Sequence, residues 1–433
     1  MGGLHMTRLL LYGMFSLLLA LACAGGGGDD TGGVGSGETG PADQPVKDEL
    51  AENIKAAAGG AHFTLILKKD GSLWGVGGNE SGQLGNGSTT ALTSPVRLTD
   101  GVSRVSAGQQ FSLILKSGVL WATGINKYGC LGDGTNQDRH SPIAVKNVKA
   151  VVAMSAGFYH SLILQKDGRL FAAGGNYYGQ LGLGDNVERH APELVTTDVS
   201  DISGGGYHSL ILKTDGTLYA TGYNHSGQLG LGDRIDRNRP NKVMSGVSAI
   251  AAGEYHSLIL AKNGTLYATG QNLFVQLGLG DTTDRLSPEQ VMTGVRAIAT
   301  GNVHSLILKT DGTLYAMGYN YEGALGLGDK ANRYRPTQVM TGISTIVQSK
   351  NHSLVIANDG SLWGMGLNDL GQLGIGPGRI YTPTQILQHS PLGANIRSML
   401  GRRSTLFIAI GAAVLALGII GAVAVIRRRR KAA

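Results

Sequence analysis

Between Ile54 and Ser390 the apolar residues come in short runs of five or six positions, each broken by Gly, Asn or Asp. The fifth of seven similar stretches reads Val247-Ser-Ala-Ile-Ala-Ala-Gly, then His256-Ser-Leu-Ile-Leu, then Asn263-Gly264, then Leu266-Tyr-Ala-Thr-Gly. Two short β-prone runs around a tight turn dipeptide predict a hairpin. The dipeptide begins at Asp70, Asp167, Asp215, Asp311 and Asp359 in five other stretches, where Gly is expected to supply the positive φ of a primed turn. The second stretch departs, with Lys116-Ser117-Gly118 one residue shorter. Each hairpin is followed by Gly, one or two residues and an Asn (Asn79, Asn126, Asn176, Asn224, Asn272, Asn320, Asn368). A Gly-Gln-Leu-Gly segment and a Pro-x-x-Val run, predicted as an outer strand, complete the unit.

Aligned on Leu-Ile-Leu, the units start at Ile54, Val102, Val151, Val199, Val247, Val295 and Ile343, all β-branched, with steps of 48, 49, 48, 48, 48 and 48 residues. A fixed period marks one supersecondary unit that cannot bury its apolar face alone and stacks on its neighbours. Four strands per unit, no run long enough for an amphipathic helix and 69 glycines exclude a helical solenoid. The expected fold is all-β: a seven-bladed propeller of four-stranded blades over 44–392, a ring that leaves only short, protected edges.

The pattern Gly-x-x-His-Ser-Leu-x-Leu, Asp-Gly-x-Leu-Tyr and Gly-x-Asn-x-x-Gly-Gln-Leu-Gly resembles the regulator of chromosome condensation repeat, over about 337 residues in seven in-register copies. The resemblance implies the same seven-bladed ring, and suggests that Gln44-Pro45-Val46 lends a strand to the last blade. It also implies functions to weigh. Exported members include β-lactamase inhibitors, which makes regulation of a secreted or periplasmic enzyme an alternative to simple binding. The nuclear founder exchanges guanine nucleotide through a wedge between strands, and these repeats carry no such insertion. The plant ultraviolet-B photoreceptor relies on clustered tryptophans, whereas Trp74, Trp121 and Trp363 are strand positions in separate blades.

The ends of the chain are of another kind. Leu9 to Ala22 is apolar behind Arg8 and ends in small residues, as a secretory signal over 1–23 does. Leu19-Ala20-Leu21-Ala22-Cys23 is similar to a bacterial lipoprotein cleavage box, with Cys23 the lipidated residue. Residues 24–43 are Gly-rich and read as a flexible tether. After a linker at 393–405, Leu406 to Ile426 is free of charge and would span about 31 Å as a helix, enough to cross a membrane. The basic tail 427–433 follows and is expected to be cytoplasmic, leaving the propeller outside at the plasma membrane or cell surface. A sorting tail cleaved during anchoring is the other reading of this end.

A net +7 and pI near 9.3 point to nucleic acid until the charge is located. Eight cations lie at Arg397, Arg402, Arg403, Arg427 to Arg430 and Lys431, with no acid beyond Arg397. The rest carries 29 basic and 30 acidic residues, a net of −1. Phosphate-backbone binding needs a concentrated cationic surface, so no nucleic-acid partner is expected. Cys23 and Cys130 are the only cysteines; Cys130 replaces Gln in its repeat, so stability is expected from blade packing rather than disulfides.

Five histidines stand one period apart at His160, His208, His256, His304 and His352, with Phe63 and Phe111 in the first two places. One histidine per blade cannot converge on a metal, and replacement by Phe points to packing. The Leu-Gly-Asp segments at Asp185, Asp233, Asp281 and Asp329 lack the Asp-x-Asp-x-Asp-Gly spacing of calcium loops and read as local turns. Arg139, Arg189, Arg237, Arg285 and Arg333 recur after them and suggest a structural role between blades. Ser, His and Asp recur with the repeat, and none stands out from its counterparts as catalytic; no enzyme, cofactor or metal is expected.

Residues that differ between copies are the informative ones. Around the Asn-x-x-Gly loop these include Tyr128, Tyr177, Tyr178, Tyr223, Phe274, Tyr319 and Tyr321. Equivalent loops open on one rim of a ring, and aromatics there offer rigid contact area for a partner. The expected function is thus a monomeric, non-enzymatic propeller that binds a protein or cell-envelope ligand.

Overall fold

The computed structural model describes residues 53–386 apart from Gln348. The signal, Cys23, the tether, Gln44 to Val46, the linker, the segment 406–426 and the basic tail lie outside the described residues. Those described form seven four-stranded antiparallel sheets, each built from four consecutive strands of one repeat. Blade 5 is typical, with strands Val247–Ala252, His256–Ala261, Leu266–Gly270 and Arg285–Met292 running from the axis outward. The innermost strands pack on one another around a closed ring, Ile54–Gly59 of blade 1 meeting Ile343–Val347 of blade 7. The last blade takes all four strands, through Ile380–Ile386, from its own copy. Gln44 to Val46, expected to lend a strand to this blade, lie outside the described residues.

Six of the seven hairpin turns differ from expectation. In Lys68–Ser72 the amide of Gly71 donates to the Lys68 carbonyl, and of the turn residues only Gly71 has positive φ, at 85°. This is a three-residue loop ending in a glycine bulge, not a primed turn. The shorter second copy makes the primed turn, with Ser117 at φ 50° and Gly118 at 78° and Lys116 paired directly with Val119. Loop length, rather than the Gly itself, selects the turn.

No blade has a core of its own. The seven hydrophobic clusters each join two neighbours, and the one that closes the ring packs Ile54, Ile66 and Trp74 of blade 1 against Leu354, Ile356 and Leu373 of blade 7. Prolines of the outer strands, where the lost N–H is tolerated, complete each joint. A Cβ on Gly230 would lie 3.2 Å from Pro288 of the next blade, and one on Gly374 would lie 3.0 Å from Pro95 across the closing seam.

A polar belt runs through five of these joints, those that follow blades 3 to 7. His160 Nε2 is 3.0 Å from Ser209 Oγ of the next blade, and the step repeats at His208–Ser257, His256–Ser305 and His304–Ser353. His352 closes it on Thr64 at 2.9 Å. Each serine hydroxyl donates onward to a main-chain carbonyl, as Ser209 does to Gln180 at 2.7 Å. A carbonyl can only accept, so the imidazole must donate through Nε2 and is held neutral. Its bare Nδ1 faces the motif glycine, where a Cβ on Gly157 would lie 2.5 Å from His160 Nδ1 and 2.2 Å from Cε1. The Gly-x-x-His spacing exists because the ring folds back over its own glycine.

Burial lowers His160, His208, His256 and His352 to a pKa of about 3 and His304 to about 4, from 6.5. A depressed folded pKa means that the unfolded chain binds more protons below pH 6.5, so stability falls as pH drops from about 6.5 towards 3. His208→Phe, which copies blades 1 and 2, is expected to lower the slope of unfolding free energy against pH in that window by up to about 1.4 kcal/mol per unit. Urea titrations at several pH values measure it.

Candidate binding face

In an up-and-down blade the loop between strands one and two opens on the same face as the loop between strands three and four. The backbone ties the two loops together: Tyr223 N donates to Tyr207 O at 2.9 Å, and Gly175 N to Tyr159 O at 2.8 Å. The Asn-x-x-Gly loop is held by its buried Asn. Asn224 receives Leu229 N on Oδ1 at 2.9 Å, and its Nδ2 donates to Asp233 O at 3.0 Å. The recurring Asp and Arg complete the loop as partners, Asp185 with Arg189 at 2.7 Å and Asp233 with Arg237 at 2.6 Å. Each pair lies within one blade, and Asp281–Arg285, Asp329–Arg333 and Asp133–Arg139 repeat it. The arginines therefore shape their own loop instead of bridging blades, as the sequence had suggested.

On this frame the variable residues separate into two groups. Tyr128, Tyr177, Tyr178 and Tyr223 join a continuous aromatic cluster over blades 2 to 5. Tyr178 lies edge-on to Tyr223 at 4.7 Å and to Tyr207 at 5.6 Å between ring centres, while Tyr128 meets Tyr159 at 5.4 Å. Tyr177 packs on Tyr178 at 4.9 Å and remains 78% exposed. Phe274, Tyr319 and Tyr321 form a second, smaller group in blades 5 and 6, with Phe274–Tyr319 at 5.5 Å. There Lys330 and Arg379 lie over Tyr321 at 5.6 and 5.4 Å.

Half of the larger cluster went unseen in the sequence. Phe158, Tyr159, Tyr207 and Tyr255 occupy the two positions between Gly and His of the repeat, on the first loop of the blade. Tyr207 stacks on Tyr255 at 5.9 Å, and Phe158 meets Tyr207 at 5.7 Å. The signal was present: strand alternation puts this loop and the Asn loop on one face.

The position two before the histidine turns towards the axis. Around the ring it reads Ala61, Gln109, Phe158, Gly206, Glu254, Asn302, Lys350. Main-chain bonds pass from blade to blade there, as from Asn302 N to Lys350 O at 2.8 Å and Gly206 N to Gly253 O at 3.0 Å. Lys350 belongs to blade 7, yet its ammonium lies 5.4 Å from the ring centre of Phe158 in blade 3, so the side chain crosses the bore. It is 3% exposed. Burial pushes Lys350 down to about 8, with Glu254 opposing the shift. Burial likewise raises Glu254 to about 7, offset in part by Lys350 and by a hydrogen bond with Tyr255. Burial lifts Tyr223 to about 12 and raises Tyr159, Tyr207 and Tyr255; Glu254 adds to the last three. Glu254 and Lys350 thus differ from every counterpart in the repeat.

Among the described residues no three metal-binding side chains converge. Cys130 is buried, its thiol pushed up by desolvation and donating to Ile125 O. A closed ring of seven four-stranded sheets, with a polar skeleton spent on its own loops, defines a seven-bladed propeller. The chain belongs to the RCC1-like domain family, whose model matches residues 15–245 and 199–417.

Solved structures agree on the fold. The crystal structure of human WBSCR16 is 26% identical and covers 71% of this chain and 88% of its own, with a TM-score of 0.65. Yeast RCC1 (Prp20) bound to Kap60 is 21% identical, covers 84% and 92%, and has a TM-score of 0.66. Prp20p from Saccharomyces cerevisiae, described with its binding to Gsp1p and histones, is 24% identical over 69% and 80%, with a TM-score of 0.62. Among curated proteins, the RCC2 homolog of Xenopus laevis is 35% identical over 98 residues, 21% of this chain and 18% of that protein. The match thus spans less than a fifth of that relative.

Lys350→Met removes the cation that holds Glu254 down. The Glu254 pKa is expected to rise above about 7, as read from a carboxyl-carbon NMR titration of the variant against the parent.

Proposed function

We propose that this chain is a non-enzymatic propeller that binds a protein or cell-envelope ligand through its aromatic face. One observation carries the reading: the edge-to-face cluster over blades 2 to 5, ending in the exposed Tyr177. Rigid aromatic rings supply contact area at low entropic cost. Tyr128, Tyr177, Tyr178 and Tyr223 form its main surface, with Phe274, Tyr319 and Tyr321 as a second contact. The related fold of Prp20p, with its binding to Gsp1p and histones, supports protein recognition by such rings. Nucleic acid is not a partner in this reading, because the net positive charge comes from residues after Ile396, and the propeller acts as a monomer. Changing Tyr177 and Tyr178 to Ser in the full-length chain is expected to remove most of the partners captured from envelope extract, with unfolding unchanged; capture of the same set by the variant refutes the surface.

The ring is displayed outside the plasma membrane, with Cys23 lipidated and the tail 427–433 cytoplasmic. The apolar run before Cys23 and the uncharged stretch from Leu406 to Ile426 support this placement. Mass spectrometry of the mature chain is expected to find an N-terminus at Cys23 carrying acyl chains and a C-terminus at Ala433. An intact Met1 refutes export.

A further inference from the structure

The axial pair and the ring of tyrosines above it give the aromatic face a chemical preference. We propose that the tyrosine bowl around Glu254 receives a cationic side chain, and that the partner presents an arginine- or lysine-bearing segment to it. The inference rests on the aromatic face being the binding surface, and it adds what that surface selects.

Two features point to a cation. The first is the carboxylate: Glu254 lies deep among Tyr159, Tyr207 and Tyr255, each of which feels its charge. Lys350 is the cation in its field, but the two make no ion pair among the described residues, and the ammonium is drawn instead over Phe158. A buried carboxylate left incompletely neutralised gains most from a further positive group. Glu254 is only partly buried, so such a group can approach.

The second feature is the set of ring faces. This rim already holds its own cations over aromatic rings, with Lys127 over Tyr128 at 5.4 Å and Lys330 over Tyr381 at 5.4 Å. No cation of the described residues lies over Tyr159, Tyr207 or Tyr255, the three rings that feel the carboxylate. Tyr207 stacks on Tyr255 at 5.9 Å with planes 25° apart, and Tyr223 stands edge-on to both at 6.5 and 5.8 Å. Aromatic rings gathered about 6 Å apart beside an acid offer π faces to a guanidinium or ammonium.

The remaining charges near the bowl are paired or outlying. Arg234 bonds Asp284 at 3.2 Å, and His225 stands 3.7 Å from Asp236. The net +7 of the chain comes from residues after Ile396 and the rest is net −1, so attraction of a polycation reports on a local site only where it is lost with Glu254.

The test uses the full-length chain and two fluorescent twelve-residue peptides, one alternating Arg and Gly, the other Glu and Gly, with affinity read by anisotropy. The Arg peptide is expected to bind at least about tenfold more tightly than the Glu peptide. Glu254→Gln and Tyr207→Leu should each cost about tenfold, whereas Tyr207→Phe, which keeps the ring face, should hold most of the affinity. Thermal melts establish that each variant is folded, and the near-isosteric Glu254→Gln serves if Tyr207→Leu is not. Equal binding of the two peptides, or an Arg affinity unmoved by Glu254→Gln, overturns the proposal. If Tyr177 and Tyr178 prove necessary for partner capture while the Arg peptide fails to bind, the aromatic face stands and its preference for a cation falls.

Discussion

Everything in this molecule depends on the joint between neighbouring blades. A four-stranded sheet of this size has two faces to cover and nothing within its own repeat to cover them. The apolar clusters therefore all straddle two blades, and the outer-strand prolines lock onto the glycines of the preceding unit. The histidine–hydroxyl belt sits inside these dry joints. There a charged imidazolium costs much to bury, and a neutral ring with one donated bond from Nε2 avoids that cost. Because seven such joints close on themselves, geometric precision at one is transmitted to all.

This economy explains why so many polar residues have no chemistry to offer. The buried asparagines, the Asp–Arg pairs and the histidines all turn their hydrogen-bonding capacity inward, to hold loops that would otherwise leave main-chain groups unsatisfied. What remains free to vary is a thin set of positions on one face, and there the copies diverge into tyrosines, two phenylalanines among them, and a single acid and base at the axis.

The blade, its strand order and its number were legible because the period and the β-branched starts encode them directly. The role of Asn224 and its equivalents was half legible: invariance across copies marked a loop scaffold, but only coordinates show Oδ1 on one amide and Nδ2 on one carbonyl. The turns misled, since Asp-Gly suits both a primed turn and a bulged loop, and one residue of loop length decides between them. Arg189 misled because a recurring charge says that it has a recurring partner without saying on which blade. The axial pair was hidden for a different reason. Glu254 and Lys350 stand two repeats apart, and only ring curvature brings equivalent positions of distant copies within reach of each other.

The reach of Lys350 has a consequence for how the molecule assembles. Its ammonium settles against Phe158, which belongs to the third unit, while its own main chain belongs to the seventh. The contact joins the first half of the ring to its last module, so it can exist only once that module is in place, and it marks a completed ring.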